Sequence, residues 1–178
     1  MSVEIKPGLN VLNVKLTPKP PKLDDLDFTL SKRIAESIKI FDMPRKDRIL
    51  TALNFLYDAL AATTVVQSYI TINGALDYLT AGVGRGGRTE ESHKEAVDQF
   101  VEAGVLRSPE DYKGKLHKFH HGHYAVMKTN EVSHSQLDEI KAFFKEFLMK
   151  YIEYEKVMIG AEASIIGLIN KGNREERS

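Results

Sequence analysis

The chain has 178 residues, 42% of them hydrophobic, and its 25 lysine and arginine residues balance 25 aspartate and glutamate residues. This length and apolar content predict one domain with appendages rather than two domains. Because the formal net charge is zero, any nucleic-acid contact surface must be local. The chain contains no cysteine, which excludes disulfides, thiolate metal sites and cysteine nucleophiles. With no signal-peptide pattern and no run of roughly 18 apolar residues, we expect a cytoplasmic protein without a membrane span.

The first part of the chain predicts an extended arm followed by two helices. Residues 1–28 form the arm, because the prolines within Thr17–Lys22 remove amide donors and favour a polyproline-like path. Alternatively, Val11–Leu16 contains a short edge strand. The first helix, Ser31–Phe41, has apolar residues at helical spacing behind a capping serine. After a break at Asp-Met-Pro, the second helix covers Arg45–Ala61.

The middle of the chain predicts short strands between helices. β-branched residues favour a strand at Val65–Ile70, and Thr71 is placed to cap the helix that follows it. A turn at Ala81–Arg88 contains four glycines and two arginines. Thr89 is then expected to cap a further helix that ends at Gly104. The remaining predicted elements are a short strand at Val105–Arg107, a turn-rich loop at Ser108–Lys115 and a returning strand at Leu116–Lys128.

Two stretches of this region carry a family resemblance. They are Ser68-Tyr-Ile-Thr-Ile-Asn-Gly-Ala-Leu-Asp-Tyr-Leu79 and Phe100-Val-Glu-Ala-Gly-Val-Leu106. Together with the order of the predicted elements, they resemble the winged helix-turn-helix superfamily over roughly Arg45–Thr129. The resemblance implies a mainly α fold with a small β-wing (α+β), in a winged-helix domain spanning residues 29–132.

The same resemblance implies binding to double-stranded DNA. The helix that starts at Thr89 would enter the major groove, and the wing would contact the adjacent backbone. Three carboxylates on that helix, Glu91, Glu95 and Asp98, oppose this contact. We therefore expect contacts from the start of the helix, the glycine turn and the wing. The predicted DNA-binding residues are Arg85, Arg88, Thr89, Ser92, Lys94, Lys113, Lys115, Lys118 and His120.

A long helix is predicted at residues 133–170, followed by a polar tail at residues 171–178. Ser133 and Gln136 match a capping box, and Val132 and Leu137 match the hydrophobic staple around it. Apolar residues then repeat in heptads over on the order of 50 Å, which is more than a compact domain can cover, so part of the stripe should face another chain. PadR-like regulators and bacterial replication terminators, which this arrangement resembles, form dimers through such a helix. The predicted homodimer interface is Leu137, Ile140, Phe144, Phe147, Tyr151, Tyr154, Met158, Ile165 and Leu168.

An alternative for this helix is that it folds back over the chain's own Ile34, Ile38 and arm.

Several histidines raise a separate question. On a strand, His121 and His123 would share a face with His117, and such a set is a plausible start of a zinc, nickel or copper site. Contact with phosphate or solvent is the favoured interpretation, so no metal or other cofactor is predicted. His93 is expected to be partly buried and hydrogen-bonded.

Two functions follow from these patterns. The first is a homodimeric winged-helix DNA-binding protein, acting in transcription regulation or as a plasmid or viral replication or partition factor. The second is a winged helix used as a protein-interaction or assembly module without DNA affinity, which the zero net charge favours. An enzyme is not expected, because the chain has no Gly-x-Ser-x-Gly, phosphate-loop or His-Glu-x-x-His motif, and the glycine turn follows a predicted helix rather than a strand.

Overall fold

The computed structural model describes residues 25–83 and 90–175 of the chain. Every regular element in these residues is an α-helix, and none of them forms a strand. The predicted α+β fold with a β-wing is therefore wrong. The helices are α1 (Asp25–Ile38), α2 (Met43–Ala61), α3 (Val65–Val83), α4 (Glu90–Glu102), α5 (Pro109–Thr129) and α6 (His134–Glu175).

The predicted wing is replaced by α5. Pro109 occupies the start of this helix, Glu110 and Asp111 lie in its first turn, and Lys128 lies in its last turn. These residues complement the exposed amides and carbonyls at the two ends of a helix. Asn130 then ends the helix in the left-handed conformation, with φ of 55°. The side chains that α5 buries repeat at helical spacing: Tyr112, Leu116, Phe119 and Val126.

The predicted strand at Val65–Ile70 is also wrong, because these residues form the first turns of α3. The Thr64 hydroxyl accepts a hydrogen bond from the amide of Gln67 at 3.1 Å and so caps the helix. α3 lies at the centre of the molecule and contacts α2, α4, α5 and α6. Burial on several sides favours apolar, β-branched residues whatever the secondary structure, so their presence did not distinguish a strand from a buried helix.

The predicted helices at the start of the chain and before Gly104 are present, but the predicted cap at Ser31 is wrong, because Ser31 lies inside α1. α1 begins at Asp25, inside the range given to the arm, and the rest of the arm lies outside the described residues. Asp42 caps α2 by accepting a hydrogen bond from the amide of Arg45 at 3.1 Å. Gly104, with φ of 71°, follows the end of α4 in the conformation that favours glycine.

The first half of α6 lies in the same core as the other helices. It packs mainly on α3 and also contacts α1, α2 and α4. The predicted capping box is confirmed. The backbone N–H of Gln136 donates to the Ser133 hydroxyl at 3.2 Å, and the backbone N–H of Ser133 donates to Gln136 Oε1 at 2.8 Å. Helix α6 therefore shares one core with the segment predicted as a winged-helix domain. In the described part of the chain, no helix is both long and apolar enough to cross a membrane.

Candidate functional site

The structure describes six of the nine residues predicted to bind DNA. Arg85, Arg88 and Thr89 lie outside the described residues. Ser92 is buried on α4, whereas Lys94 of the same helix is exposed. The two residues therefore do not share a surface that a DNA groove can reach.

The lysines predicted for the wing lie on α5 and contact neighbouring helices. Lys113 Nζ is 2.7 Å from Asp98 Oδ1 of α4, and Lys118 Nζ is 2.6 Å from Glu139 Oε1 of α6. Lys115 lies over the Phe143 ring, with its Nζ 5.5 Å from the ring centroid. Water and salt screen exposed ion pairs of this kind, so they position α5 only weakly. They nevertheless give Lys113, Lys115 and Lys118, which were expected to meet phosphate, partners within the protein.

The histidines of α5 are divided between two faces of the helix. His117 and His121 are four residues apart and exposed, with ring centroids 4.3 Å apart. His123 lies two residues from His121, which on a helix places it on a different side. It is partly buried, and its Nδ1 lacks a hydrogen-bond partner among the described residues. The set His117, His121 and His123 therefore does not converge, because it depended on the alternation of a strand.

His120 instead meets residues of two other helices. His93 Nε2 of α4 lies 2.9 Å from Asp77 Oδ1 of α3. The His120 ring packs edge-on against the His93 ring, with centroids 5.3 Å apart. One possible metal-ligand atom from each of Asp77, His93 and His120 lies within 4.8 Å of the other two. We call these three residues the three-helix cluster, and it is where three potential ligand residues converge in the described part of the chain.

The helix packing around the three-helix cluster brings its members together. α3, α4 and α5 all contact one another. Gly122 lies two residues from His120, and a Cβ placed there would come within 2.5 Å of the Tyr69 hydroxyl oxygen of α3. The missing side chain thus leaves room for the Tyr69 hydroxyl group against α5. Asp77 and His120 are partly exposed, and His93 is buried, with 4% of its surface accessible.

The prediction of a partly buried, hydrogen-bonded His93 is confirmed in its hydrogen bond and exceeded in its burial, but the partner residue was not predicted. Asp77 is the only charged residue between Val65 and Val83. A carboxylate in an otherwise apolar, buried helix needs a hydrogen bond or a cation as its partner. That isolated charge could have identified Asp77 as a candidate from the sequence. His120 was assigned to DNA contact because its segment was interpreted as a strand.

Most of the predicted dimer interface lies within the chain's own core. Met158 is partly buried, and Ile165 and Leu168 are 58% and 71% exposed. The three exposed or partly exposed residues all lie beyond Glu155, so the apolar stripe of α6 changes its surroundings along its length. The buried members of the stripe are Leu137, Ile140, Phe144, Phe147, Tyr151 and Tyr154.

Ion pairs connect α6, from Glu155 to Glu162, to the start of α2. A cleft of about 440 Å³ lies between the two helices. Arg45 Nε donates to Glu155 Oε2 at 2.7 Å, and its Nη2 donates to Glu162 Oε1 at 2.6 Å. These hydrogen bonds, that to Glu162 above all, raise the pKa of Arg45. The three residues of these ion pairs all line the cleft, so we interpret it as a helix-to-helix connection.

The chemistry open to the three-helix cluster is that of a carboxylate beside two imidazoles. Such groups hold divalent metal ions through nitrogen and oxygen, or relay protons between hydrogen-bonded atoms. Comparison of the chain with models of known protein families, with curated proteins and with solved structures found no match.

Proposed function

We propose that this protein is a helical assembly module that pairs with a second copy of itself through the end of α6. The observation that supports the proposal is the continuity of the heptad stripe. Its members up to Tyr154 pack the protein's own core, and the stripe then continues through Met158, Ile165 and Leu168 with decreasing burial. Apolar residues at core spacing on an exposed helix are typical of an interface.

The length of α6 supports a projecting segment. The helix has 42 residues, which corresponds to about 63 Å at 1.5 Å per residue. A compact chain of this size has a radius of gyration of about 16 Å and hence a diameter of about 40 Å. The terminal turns of α6 therefore extend beyond the body. A projecting end of only a few turns is marginally stable as a helix in water by itself. Contact with a partner would therefore stabilise these terminal turns.

The charge of the segment favours a second copy as the partner. Residues 157–170 contain a single charged residue, Glu162, and its carboxylate already pairs with Arg45. Two copies of this surface can meet without repulsion between like charges, as a two-fold interface requires. A nucleic acid would find no cation along the same stretch to neutralise its phosphates.

Sedimentation or light scattering over a range of concentrations tests the proposal. We expect a mass that approaches twice the 20.1 kDa of the chain as the concentration rises. The exposed apolar area is small, so the dissociation constant should lie in the micromolar range rather than below it. The double variant I165K/L168K should remain a monomer with an unchanged far-UV circular dichroism spectrum. Its control, Y57K/M127K, changes two equally exposed apolar residues on α2 and α5 and should still dimerise.

Three outcomes would count against the proposal. A wild-type protein that stays monomeric at all concentrations would contradict it. Loss of the dimer in the control alone would locate the interface elsewhere. Binding to a random DNA duplex that weakens steeply with salt, and that survives in I165K/L168K, would instead favour the DNA-binding function.

A further inference from the structure

We propose that the three-helix cluster of Asp77, His93 and His120 binds a divalent transition-metal ion of the zinc class. The proposal is independent of the assembly function. It begins from convergence, because each of the three helices α3, α4 and α5 supplies one ligand residue to the same point. A set drawn from three elements depends on the tertiary fold, in contrast to the neighbouring pair His117 and His121, which any helix brings together at this spacing.

The spacing of the ligand atoms suits such an ion. Ligand atoms around a tetrahedral zinc ion lie about 3.3 Å apart, given bonds of about 2.0–2.1 Å to nitrogen and oxygen. The observed separation of His93 Nε2 from Asp77 Oδ1 is 2.9 Å, and all three ligand atoms lie within 4.8 Å of one another. Binding therefore requires a slight opening of the first pair and a rotation of the partly exposed His120 ring.

Burial holds one ligand of the cluster in place and leaves the other two accessible. His93 is more than nine-tenths buried, and its Nδ1 has no hydrogen-bond partner among the described residues. Nδ1 lies on the other edge of the imidazole ring from Nε2, the atom beside Asp77 Oδ1, so the ion proposed here would bind at Nε2 and leave Nδ1 outside the coordination sphere. Asp77 and His120, which are partly exposed, leave the cluster open to solvent on one side. An ion can therefore enter, and its ligands are already held by the packing of three helices.

The types of ligand atom decide the class of ion. Two imidazole nitrogens and one carboxylate oxygen suit zinc and its neighbours in the first transition series. Calcium and magnesium prefer oxygen ligands and a higher coordination number, so two imidazoles select against them. Three protein ligands leave a fourth position of a tetrahedral zinc ion for water. The proposed site is thus of the open kind, in which the metal retains an exchangeable ligand.

Isothermal titration with zinc ions, on the full chain prepared without a histidine tag, tests the proposal. We expect one equivalent to bind tightly and to raise the melting temperature by about 5 °C or more at saturating metal. Cobalt ions bound at the same site should show the visible absorption of a tetrahedral complex. The variants D77N and H120A should each weaken binding by about 10-fold or more.

The matched control is the double variant H117A/H121A, which removes the exposed histidine pair on the same helix and should retain the site. Asn has the shape of Asp and accepts a hydrogen bond from His93, so D77N keeps the test decisive if H120A does not fold. Absence of stoichiometric binding by the wild-type chain would overturn the proposal. So would zinc binding that persists in D77N and H120A but disappears in H117A/H121A, because the ion would then lie on the surface of α5.

Discussion

At the scale of single residues, the buried carboxylate of Glu155 is held by two hydrogen-bond partners. Its side chain is 10% exposed and accepts hydrogen bonds from Arg45 of α2 and from the Tyr151 hydroxyl one turn earlier on α6. A buried carboxylate is stable only when such partners replace its water. Removing either partner would leave the buried charge of Glu155 incompletely solvated. The loss of stability would therefore exceed that of one hydrogen bond.

Tyr151 makes the stability of the protein sensitive to high pH. Burial, together with the nearby charge of Glu155, raises the pKa of its hydroxyl above the ordinary value near 10. The contribution of this group is complete below that ordinary value. It is lost as the pH rises further, because the unfolded chain then releases the proton that the folded chain retains. We expect the free energy of unfolding to fall above about pH 10, by up to about 1.4 kcal/mol per pH unit for this tyrosine.

Urea unfolding of the wild type and of Tyr151→Phe between about pH 8 and 11 checks this expectation. The variant should be less stable at pH 8 by about 1–2 kcal/mol, because Glu155 loses a hydrogen bond. Its stability should nevertheless decline less steeply above about pH 10. The control is Tyr124→Phe, which alters an exposed ring and should follow the wild type. Parallel curves for wild type and Tyr151→Phe would show that the pKa of Tyr151 is not raised.

At the scale of elements, α5 shows how a helix can be mistaken for a strand. The strand expected at Leu116–Lys128 would place Tyr124 and Val126 on one face, but Tyr124 is exposed and Val126 is buried with Phe119 and Leu116. The longer period, which starts at Tyr112, is that of a helix. It was obscured because Pro109 and the acidic residues after it were interpreted as a turn. On a helix the same residues are a start, and the histidines that follow fall on different faces.

The start of α6 is the element boundary that the sequence identified best, and it yields a quantitative prediction. Ser133→Ala removes the hydroxyl that accepts a hydrogen bond from the backbone N–H of Gln136. The variant should therefore lose about 1 kcal/mol of stability, within a range of about 0.5–2 kcal/mol. Ser133→Asp should retain most of it, because aspartate caps helices equally well. Denaturant unfolding at neutral pH measures both. Equal losses in the two variants would indicate that the effect comes from something other than capping.

At the scale of the whole molecule, α6 both completes the core and extends past it. Phe144, Phe147 and Tyr151 are fully buried, and Phe147 packs against Phe100 of α4 with ring centroids 5.3 Å apart. Beyond Glu162 the described side chains of α6 are exposed. The helix thus belongs to the body in its first half, and its end is available for another contact.

Truncation separates these two roles. A chain lacking residues 163–178 should keep its melting temperature within about 3 °C, since little buried surface is removed, and should lose the ability to dimerise. A chain lacking residues 146–178 should fail to fold, because large aromatic side chains of the core contribute about 3–5 kcal/mol each. Circular dichroism and thermal melting of the two chains provide the measurement. Cooperative unfolding of the shorter chain would contradict this account of the core.

The sequence by itself determined the features that depend on near neighbours. They include the capping box of α6, the end of α4 at Gly104, the burial of His93 and the absence of net charge. Only the tertiary structure decided which partner each apolar or polar face meets. It turned the first part of the α6 stripe inward, made a helix of the β-branched start of α3, and brought Asp77 to His93 and His120. The physical reason is that periodicity shows which residues share a face, whereas the packing of distant segments decides what covers that face.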